Sequence, residues 1–565
     1  MKKLDVLIDD LVEIRCLARA QMIYGSPLPK HIQAQIEWEL DAISDQDAYE
    51  LYVVSQSIVE RSGKLGYRVG TRGCISASLV AFLLGITQIN PLPAHYVCPA
   101  CKHSVFSVGE QYDIGFDLPD AICQECGAKM RKDGFNIPAE TFFGIRGEKQ
   151  PDLGLNLSGD YHKLAVEHLE ELCSNGDVFG ASTLQELSKV SSTIYVKKYC
   201  EENGLEIDDE SVEYMSENLM EIKREYERLP GSYFFLYDKD DIPQKTTPYQ
   251  VGEDRSRYLS PYGIKGLFKR IDLLKHDVPT LIRKLQLSTG VDPATIPMDD
   301  KQTLELLTSG DTIGIPEFGH YSIREIIKKA KPATLTDLIK ISGITHGTGT
   351  WKENAESLIE SGRASIKDVI ALRDDVMQLL MKKGMCPENA YEYMELVRRG
   401  KLGEERNIEN WEIVLNPHSV DDWKFIFDSY GIDDWYFESA KKIKYLFPKA
   451  HATSYTIQSF ILAWYKVNYP IHFYTIMLNY LDEDDVFCVS DFEKDFDDIE
   501  SEIIALQNKE VDYYWSDNKS EIRIRALEMI KDVYSHGYSF QPLRESMHKR
   551  FHIGTDSTIL TTFLK

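Results

Sequence analysis

Two pairs of cysteines have a spacing that suits metal chemistry. Each pair reads Cys-x-x-Cys, and 21 residues separate them: Cys98, Cys101, Cys123 and Cys126. Two such pairs can deliver four thiolates to one zinc ion in tetrahedral geometry. Because four thiolates leave no open coordination position, the predicted zinc is structural rather than catalytic. The alternative interpretation is a set of buried free cysteines.

A glycine-flanked segment has the composition of a phosphate site. Residues 70–78 read Gly-Thr-Arg-Gly-Cys-Ile-Ser-Ala-Ser, between a short predicted strand and an amphipathic helix. Backbone amides at a helix start, hydroxyls and a guanidinium can together hold a phosphate group. The candidate ligands are Gly70, Arg72, Gly73, Ser76 and Ser78. A tight turn with small packing residues would have the same composition.

A third segment carries one carboxylate where a metal-dependent nucleotidyl transferase would carry two. Such an enzyme gathers carboxylates around two metal ions about 4 Å apart, and Asp-x-Asp on a strand does this because residues i and i+2 share a face. Here residues 151–156 read Pro-Asp-Leu-Gly-Leu-Asn, so Asp152 stands alone and Gly154 takes position i+2. On local grounds Asp152 is a solvated or capping residue.

Basic residues cluster in the second half of an acidic chain. The net charge is −26, which excludes a protein that coats phosphates over its whole surface. Clusters at 328–331, 382–383, 398–401 and 441–444 predict a local groove, with Arg398 and Lys401 as phosphate ligands. Solvated helix faces are the alternative. Lys449 and His451 lie between a basic and an apolar helix and could face the same cleft.

Sequence periodicity places these residues in a predominantly helical α+β frame. Apolar residues recur with helical spacing over 4–65, 161–228 and 278–480, whereas 67–70 and 233–237 are predicted strands. The tail from 481 begins with an acidic stretch that would repel DNA. No run approaches the roughly 18 apolar residues of a membrane helix, and the other six cysteines are scattered. A cytoplasmic protein that does not enter a membrane is expected.

Taken in order, segments from about residue 20 to 480 resemble the PolC-type family of DNA polymerase III alpha subunits. The landmarks are YGSPLP, GTRGCISAS, NPLPAHYVCPACKHS, PDLGLNLSG, HDVPTLI, GVDPATIP, IGIPEFG, ISGITHGT, RDDVM and KKIKYLFPKAHATSY. The resemblance implies a Pol-beta-like palm sheet with a zinc-binding insertion, a helical thumb that grips the duplex, and large helical fingers. It further implies three catalytic aspartates, two Mg²⁺ ions, and primer–template DNA, dNTP and replisome proteins as partners.

The resemblance divides the chain into six predicted segments. They are an N-terminal helical part of the palm at 1–65, the palm with its zinc knuckle insertion at 66–180 (insertion at 98–126), the thumb at 181–230, a second palm segment at 231–280, the fingers at 281–480 and an acidic C-terminal segment at 481–565.

Several departures from the family pattern fall in one cleft. By position, Asp152 and Asp272 correspond to the first and third aspartates, and Gly154 stands where the second should be. Gly180 replaces an arginine, residues 227–232 replace a Thr-Gly-Gln-His-Pro-Gly-Gly loop, and Arg270 is gained. The zinc knuckles, Lys449 and His451 keep the pattern. Losing a principal electrostatic contribution costs about 10²–10³ in rate, so we expect lost chemistry with a retained scaffold.

Three functions stay open on this reasoning. The first is a catalytically silent polymerase relative that binds primer–template DNA, a nucleotide or a replisome protein. The second is an active minimal polymerase in which Asp152 and Asp272 still bind Mg²⁺, completed by another chain. The third is a protein-interaction module that uses the acidic surface. No Gly-x-Gly hairpin signature follows residue 480 and residues 559–565 lack a clamp-binding motif, so autonomous processive synthesis is not expected.

Overall fold

Helices form most of the structure, a computed structural model that describes the chain in fourteen stretches. These are residues 2–109, 111–173, 178–186, 188–205, 207–222, 224–235, 249–250, 257–259, 268–402, 420–482, 486–507, 518–542, 551–555 and 557–561. A mainly helical α+β fold is therefore confirmed.

Helices in the first half of the chain surround a central sheet. They are α1 (Lys2–Tyr24), α2 (Lys30–Asp45), α3 (Tyr49–Lys64), α4 (Leu79–Leu83), α5 (Glu140–Phe143), α6 (Gly159–Leu172), α7 (Lys189–Glu202) and α8 (Asp209–Ile222). The N-terminal region contains three helices, and the first break falls at the predicted Gly-Ser-Pro turn. Proline cannot donate to a helix ladder, which explains the break.

The second half is almost entirely helical. Its helices are α9 (Asp277–Thr289), α10 (Lys301–Ser309), α11 (Tyr321–Ala330), α12 (Leu335–His346), α13 (Glu356–Glu360), α14 (Arg373–Lys382), α15 (Pro387–Arg398), α16 (Val420–Ser429), α17 (Asp434–Lys442), α18 (Lys449–Asn468), α19 (Pro470–Leu481), α20 (Phe496–Gln507) and α21 (Asn518–Ser535). None of the helices in the described part of the chain combines the length and the apolar character that crossing a bilayer requires.

The strands form three sheets. They are β1 (Gly70–Arg72), β2 (His95–Val97), β3 (Ser104–Val105), β4 (Arg131–Asp133), β5 (Leu153–Ser158), β6 (Val178–Glu186), β7 (Arg224–Phe235), β8 (Tyr249–Gln250), β9 (Arg257–Leu259), β10 (Lys269–His276), β11 (Ser539–Pro542), β12 (Phe551–Ile553) and β13 (Thr558–Thr561). The seven-stranded sheet has the order β1-β5-β10-β7-β6-β9-β8, with β5 and β10 parallel. The two small sheets have the orders β3-β2-β4 and β11-β13-β12.

Two predicted boundaries are corrected by strand pairing. The first strand begins at Gly70, three residues later than predicted, because residues 70–72 pair with β5 instead of forming a turn. The region 161–228 was predicted as wholly helical. It contains β6 and the start of β7, which pair along most of their length. Glu-rich and Lys-rich segments have good helix propensity, but a long-range partner outweighs local propensity.

One hydrophobic core joins the sheet to both ends of the chain. Leu153, Leu155 and Leu157 of β5 are fully buried on one face, against α6 and α9. The same core continues through α18 and α19 to the C-terminal helices and the sheet of β11–β13. A second core lies between α14, α15, α16 and α17. The opposite face of β5 is also buried, and the candidate site lies at the end of this strand that carries Gly154, beside Asp272 of β10.

Candidate functional site

Four residues form a row across the sheet at the predicted catalytic position. Arg72 of β1 pairs with Gly154 of β5, Gly154 pairs with Asp272 of β10, and Asp272 pairs with Ser232 of β7. Residues in register on adjacent strands project to the same face. Arg72, Asp272 and Ser232 therefore share one face, and position 154 contributes no side chain between them.

Asp152 precedes β5 by one residue and lies close to this row. Asp152 is an exposed residue at the edge of the cleft. The protein around its carboxylate nevertheless partly desolvates this group. This desolvation, followed by repulsion from the Asp272 carboxylate, raises the pKa of Asp152, and the positive charges of Arg270 and Lys149 oppose the shift. The two predicted carboxylates are thus brought into electrostatic contact.

The guanidinium of Arg270 contacts both carboxylate oxygens of Asp272. Its Nε lies 3.1 Å from Oδ1 and its Nη2 lies 3.1 Å from Oδ2, which is a two-pronged charge-assisted contact. The Ser232 hydroxyl donates a further hydrogen bond to Oδ1 at 2.6 Å, and Nη2 of Arg270 also lies 3.3 Å from that hydroxyl. The carboxylate is satisfied by protein donors alone.

The residues present do not fit a pair of Mg²⁺ ions. Two bridged ions need several oxygens gathered around them. In the described ranges, no three acid, histidine or cysteine ligand atoms gather in this cleft. A side chain at position 154 would begin 3.2 Å from Cβ of Arg72. A magnesium-dependent step is therefore not assigned to these residues.

The nearest spare carboxylates do not replace the missing one. Glu148 accepts a hydrogen bond from the backbone of Arg146 at 2.8 Å. Asp160 lies in the first turn of α6, beyond the far end of β5. Since a strand rises about 3.3 Å per residue, the six residues of β5 separate Asp160 from Asp152 by roughly 20 Å or more.

The predicted phosphate turn divides into exposed and buried residues. Arg72 is exposed and Gly73 has a left-handed backbone, with φ +73°. At Gly70, an added Cβ would lie 2.3 Å from Nε2 of Gln458, so a larger residue would require this side chain to move. Ser76 is buried and bonds Thr71 and Thr87 at 2.6 and 2.9 Å.

The start of α4 is already occupied, which corrects the predicted anion site at a helix N-terminus. The buried Glu39 carboxylate accepts hydrogen bonds from the amides of Leu79 and Val80 at 2.9 and 3.0 Å. Ser78 donates to the same carboxylate at 2.7 Å and caps the helix. An internal carboxylate therefore satisfies the donors that a phosphate would need.

Helix α18 brings the predicted Lys449 and His451 to the back of the site in different ways. The buried Lys449 ammonium points to Asp113, with Nζ 2.5 Å from Oδ2, and donates to the Asn136 carbonyl at 3.1 Å. The His451 ring stacks on Phe447 with centroids 4.6 Å apart. Burial, reinforced by the charge of Arg72, lowers the pKa of His451 to about 3, so this imidazole is neutral.

Of the two basic candidates at the end of α15, one is paired. Arg398 forms a fork on Glu395, at 2.8 and 2.7 Å. Lys401 is exposed, just beyond Gly400, which packs on the backbone of Lys444. Arg398 is therefore neutralised within its own helix, and Lys401 is the accessible cation of this cluster.

Three residues near Arg72 were not singled out from sequence. His276 and His346 converge with Tyr455 on the cleft face, with His276 and His346 centroids 5.9 and 6.1 Å from that of Tyr455. In the sequence, these residues are marked only by lying within the family landmarks HDVPTLI, ISGITHGT and KKIKYLFPKAHATSY. Glu317 completes this group, 3.6 Å from Nε2 of His346. Burial raises the pKa of Glu317, while His346 opposes the shift.

The four predicted cysteines form one cluster. Sγ of Cys98 lies 3.4 Å from Sγ of Cys126, Sγ of Cys101 lies 3.5 Å from that of Cys123, and all four sulfurs lie within 4.8 Å of one another. Four sulfurs at about 2.3 Å from a tetrahedral zinc would be about 3.8 Å apart. The cluster therefore fits zinc with no open position.

A second group of ligand-type residues is held together by charge. Asp311, Asp532 and His536 lie within 4.8 Å of one another. The buried Lys466 ammonium lies 2.8 Å from Asp532. A hydrogen bond to Asp532 raises the pKa of His536 to about 9, so the ring is protonated and cannot ligate a metal.

Comparison with known proteins identifies the family. A model described as the bacterial DNA polymerase III alpha NTPase domain matches residues 10–255, and one for the finger domain of that subunit matches residues 276–413. The DNA polymerase III PolC-type of Caldanaerobacter subterraneus subsp. tengcongensis is 39% identical over 478 residues, which is 81% of this chain and 33% of that protein. This chain belongs to the PolC-type DNA polymerase III family.

Other PolC-type relatives match nearly the whole chain. That of Thermotoga petrophila is 37% identical over 573 residues, covering 97% of this chain and 40% of the relative. That of Bacillus subtilis is 34% identical over 554 residues, covering 94% and 37%. The chain thus spans about a third to two fifths of the length of these PolC-type proteins. The predicted family is confirmed, and the predicted roles of individual residues stay predictions.

Proposed function

We propose that this chain is a non-catalytic PolC-type protein that binds the phosphates of primer–template DNA or of a nucleotide and so modulates DNA replication. Asp152 and Asp272 are the residual members of an incomplete carboxylate set. The observation that carries the proposal is the row Arg72, Gly154, Asp272, Ser232, in which the central position has no side chain. Partial loss of a metal-bridging carboxylate set removes transition-state stabilisation while leaving the surrounding cleft in place.

The proposed architecture follows the six segments predicted from sequence. In it, the seven-stranded sheet is a Pol-beta-like palm, the four-cysteine cluster is the zinc site of an insertion at 98–126, and α7–α8 and α9–α19 are thumb and fingers. The continuous core between the sheet and α18 supports one frame for palm and fingers. Arg72 and Lys401 are the exposed phosphate ligands and Gly73 is a half-buried one, with neutral His451 behind them.

Primer extension combined with DNA binding tests the proposal. The full chain is mixed with labelled primer–template and dNTPs in Mg²⁺ or Mn²⁺, and binding is followed by fluorescence anisotropy at several salt concentrations. We expect no extension, together with affinity that falls as salt rises, because phosphate contacts release counterions. Template-directed extension that disappears in Asp272→Ala would establish the active minimal polymerase instead. Absence of DNA and dNTP binding at low salt would favour a protein-interaction role.

A further inference from the structure

The cleft at Asp272 contains an internal cation. Arg270 lies two residues before Asp272 on β10, so both side chains emerge on one face. The guanidinium covers both carboxylate oxygens at 3.1 Å, and Ser232 adds a donor to Oδ1. A divalent ion that binds both oxygens of Asp272 would have to displace this fork.

Tethering favours the guanidinium over a free metal ion. Arg270 cannot diffuse away, and a group tethered by a short flexible linker has an effective concentration in the range of about mM or higher. Mg²⁺ gives up its water reluctantly and needs near-octahedral oxygen ligands. Asp152 is a further carboxylate whose charge interacts with that of Asp272. Two carboxylates alone therefore bind a divalent ion too weakly to displace the guanidinium of Arg270 from Asp272.

The charge balance of the cleft also favours an anion. Arg270 and Lys149 act on Asp152, and Arg72 is in register with Gly154. These three cations face the carboxylates of Asp152, Asp272 and Glu317, and burial raises the pKa of Glu317, which favours its neutral form. In the part of the chain that the structure describes, no acid or hydrogen-bond acceptor contacts the exposed guanidinium of Arg72. Arginine suits phosphate because its planar fork matches two oxygens at once.

We propose that Arg270 is the resident cation of this cleft, which takes the place of a divalent ion at Asp272 and allows phosphate groups to bind without a metal. The inference rests on the proposed function, since it specifies how the phosphates of DNA or of a nucleotide are held. Arg270 neutralises Asp272, and Arg72 makes the direct phosphate contact. Phosphate binding is then independent of Mg²⁺.

Metal titration tests the resident cation directly. Mn²⁺ binding to the zinc-loaded full chain is measured by the loss of the free-ion signal in electron paramagnetic resonance. We expect wild type and Asp272→Asn to bind Mn²⁺ equally, Arg270→Ala to gain one ion, and Arg270→Ala with Asp272→Asn to lose it. Lys275→Ala, which removes one positive charge from the same strand away from Asp272, is the matched control and should gain none. Wild-type Mn²⁺ binding that Asp272→Asn abolishes would overturn the inference.

Anisotropy with two probes separates the sources of phosphate. A labelled primer–template and a fluorescent dNTP are titrated at constant ionic strength, in resin-treated buffer free of divalent ions and in Mg²⁺. For wild type we expect equal affinity in both buffers. Arg270→Ala should bind about tenfold or more weakly without metal, because the Asp272 carboxylate then repels phosphate, and should recover in Mg²⁺. The probe that binds identifies the source as DNA or free nucleotide.

The outcomes keep this inference distinct from the proposed function. Binding that requires Mg²⁺ in wild type would overturn the metal-free cleft and leave DNA or nucleotide binding standing. Absence of binding by both probes in both buffers would overturn the phosphate half of the inference together with the proposed function.

Discussion

Position 154 is open to replacement at the residue scale. The backbone there is an ordinary strand with no left-handed φ, and an added Cβ would lie 3.2 Å from Cβ of Arg72, a contact that a small shift relieves. The glycine is therefore not required by the fold. Its effect on function is the absence of an oxygen ligand between Arg72 and Asp272.

Restoring that ligand should create a second metal position only when Arg270 is absent. We expect Gly154→Asp with Arg270→Ala to bind two Mn²⁺ ions, against one for Arg270→Ala, because adjacent carboxylates can then bridge the ions. Gly154→Asp alone should bind none. Mn²⁺ titration by electron paramagnetic resonance is the measurement.

Gly159→Asp in the Arg270→Ala background is the control for added charge. Position 159 lies beyond the far end of β5, with open space around an added Cβ. Two ions bound by Gly154→Asp with Arg270 in place would contradict the expectation.

At the element scale, carboxylates attach the segment that carries the four cysteines to α12 and α18. Asp117 accepts hydrogen bonds from the amides of Leu335 and Thr336 at the start of α12, at 3.1 and 3.2 Å. Asp113 pairs with the buried Lys449 of α18. The cysteine cluster therefore supports contacts that position helices α12 and α18.

Removal of the metal should loosen these contacts. We expect Cys123→Ser to lose one zinc ion per chain and to lower Tm, because structural zinc contributes on the order of 10 kcal/mol to the folding of such a module. Zinc content and hydrogen exchange at residues 335–338 are the measurements. Cys386→Ser, an exposed cysteine outside the cluster, is the control and should change neither. Full zinc content in Cys123→Ser would show that the cluster does not hold the ion.

The α7–α8 hairpin lacks the charge expected of an element that grips DNA. Residues 189–222 contain nine acids and three lysines. Large apolar side chains are also exposed there, including Ile194, Tyr199 and Tyr214 at 60%, 55% and 69%. An acidic surface repels phosphates, so this hairpin should add little to DNA affinity.

Charge reversal on α7 distinguishes the two roles. We expect Lys197→Glu with Lys198→Glu to leave the slope of log affinity against log salt unchanged, whereas Arg72→Ala should reduce it by about 0.9, one phosphate contact. Anisotropy with labelled primer–template at four salt concentrations gives both slopes. A smaller slope in the double lysine variant would place the hairpin on the DNA.

At the scale of the whole molecule, buried charges join the C-terminal helix α21 to α18 and α19. Lys466 of α18 and Asp532 of α21 are both 2% exposed and lie 2.8 Å apart. Tyr474 donates to Asp532 at 3.0 Å, and His536 lies 3.1 Å from Asp311. Breaking such a buried pair is costly, so α21 folds together with α18 and α19.

This network predicts a pH dependence of stability. The pKa of His536 is raised from 6.5 to about 9 by its hydrogen bond to Asp532. The contribution of His536 to the free energy of unfolding is therefore complete below about pH 6.5 and is lost as pH rises through about 9. We expect His536→Gln to lower the urea midpoint at pH 7 and to match wild type above pH 9.5. The exposed His103→Gln is the control, and a constant difference between wild type and His536→Gln across this range would contradict the assignment.

Local sequence was sufficient where short-range spacing decides the structure. The two Cys-x-x-Cys pairs predicted a four-thiolate cluster, which requires only that two short turns meet. Helical periodicity predicted two or three N-terminal helices, of which the structure has three, and the helical second half. The missing carboxylate at position 154 was also readable, because a strand alternates its faces every second residue.

Only the tertiary structure decided how charged groups are paired. Four predicted ligand groups are satisfied by partners within the protein. Glu39 binds the start of α4, Asp113 binds Lys449, Glu395 binds Arg398, and Arg270 binds Asp272. Strands β6 and β7 likewise exist through a mutual pairing that local propensity opposed. Sequence spacing reports which groups a short segment carries, whereas the partner that neutralises each group is set by folding distant segments together.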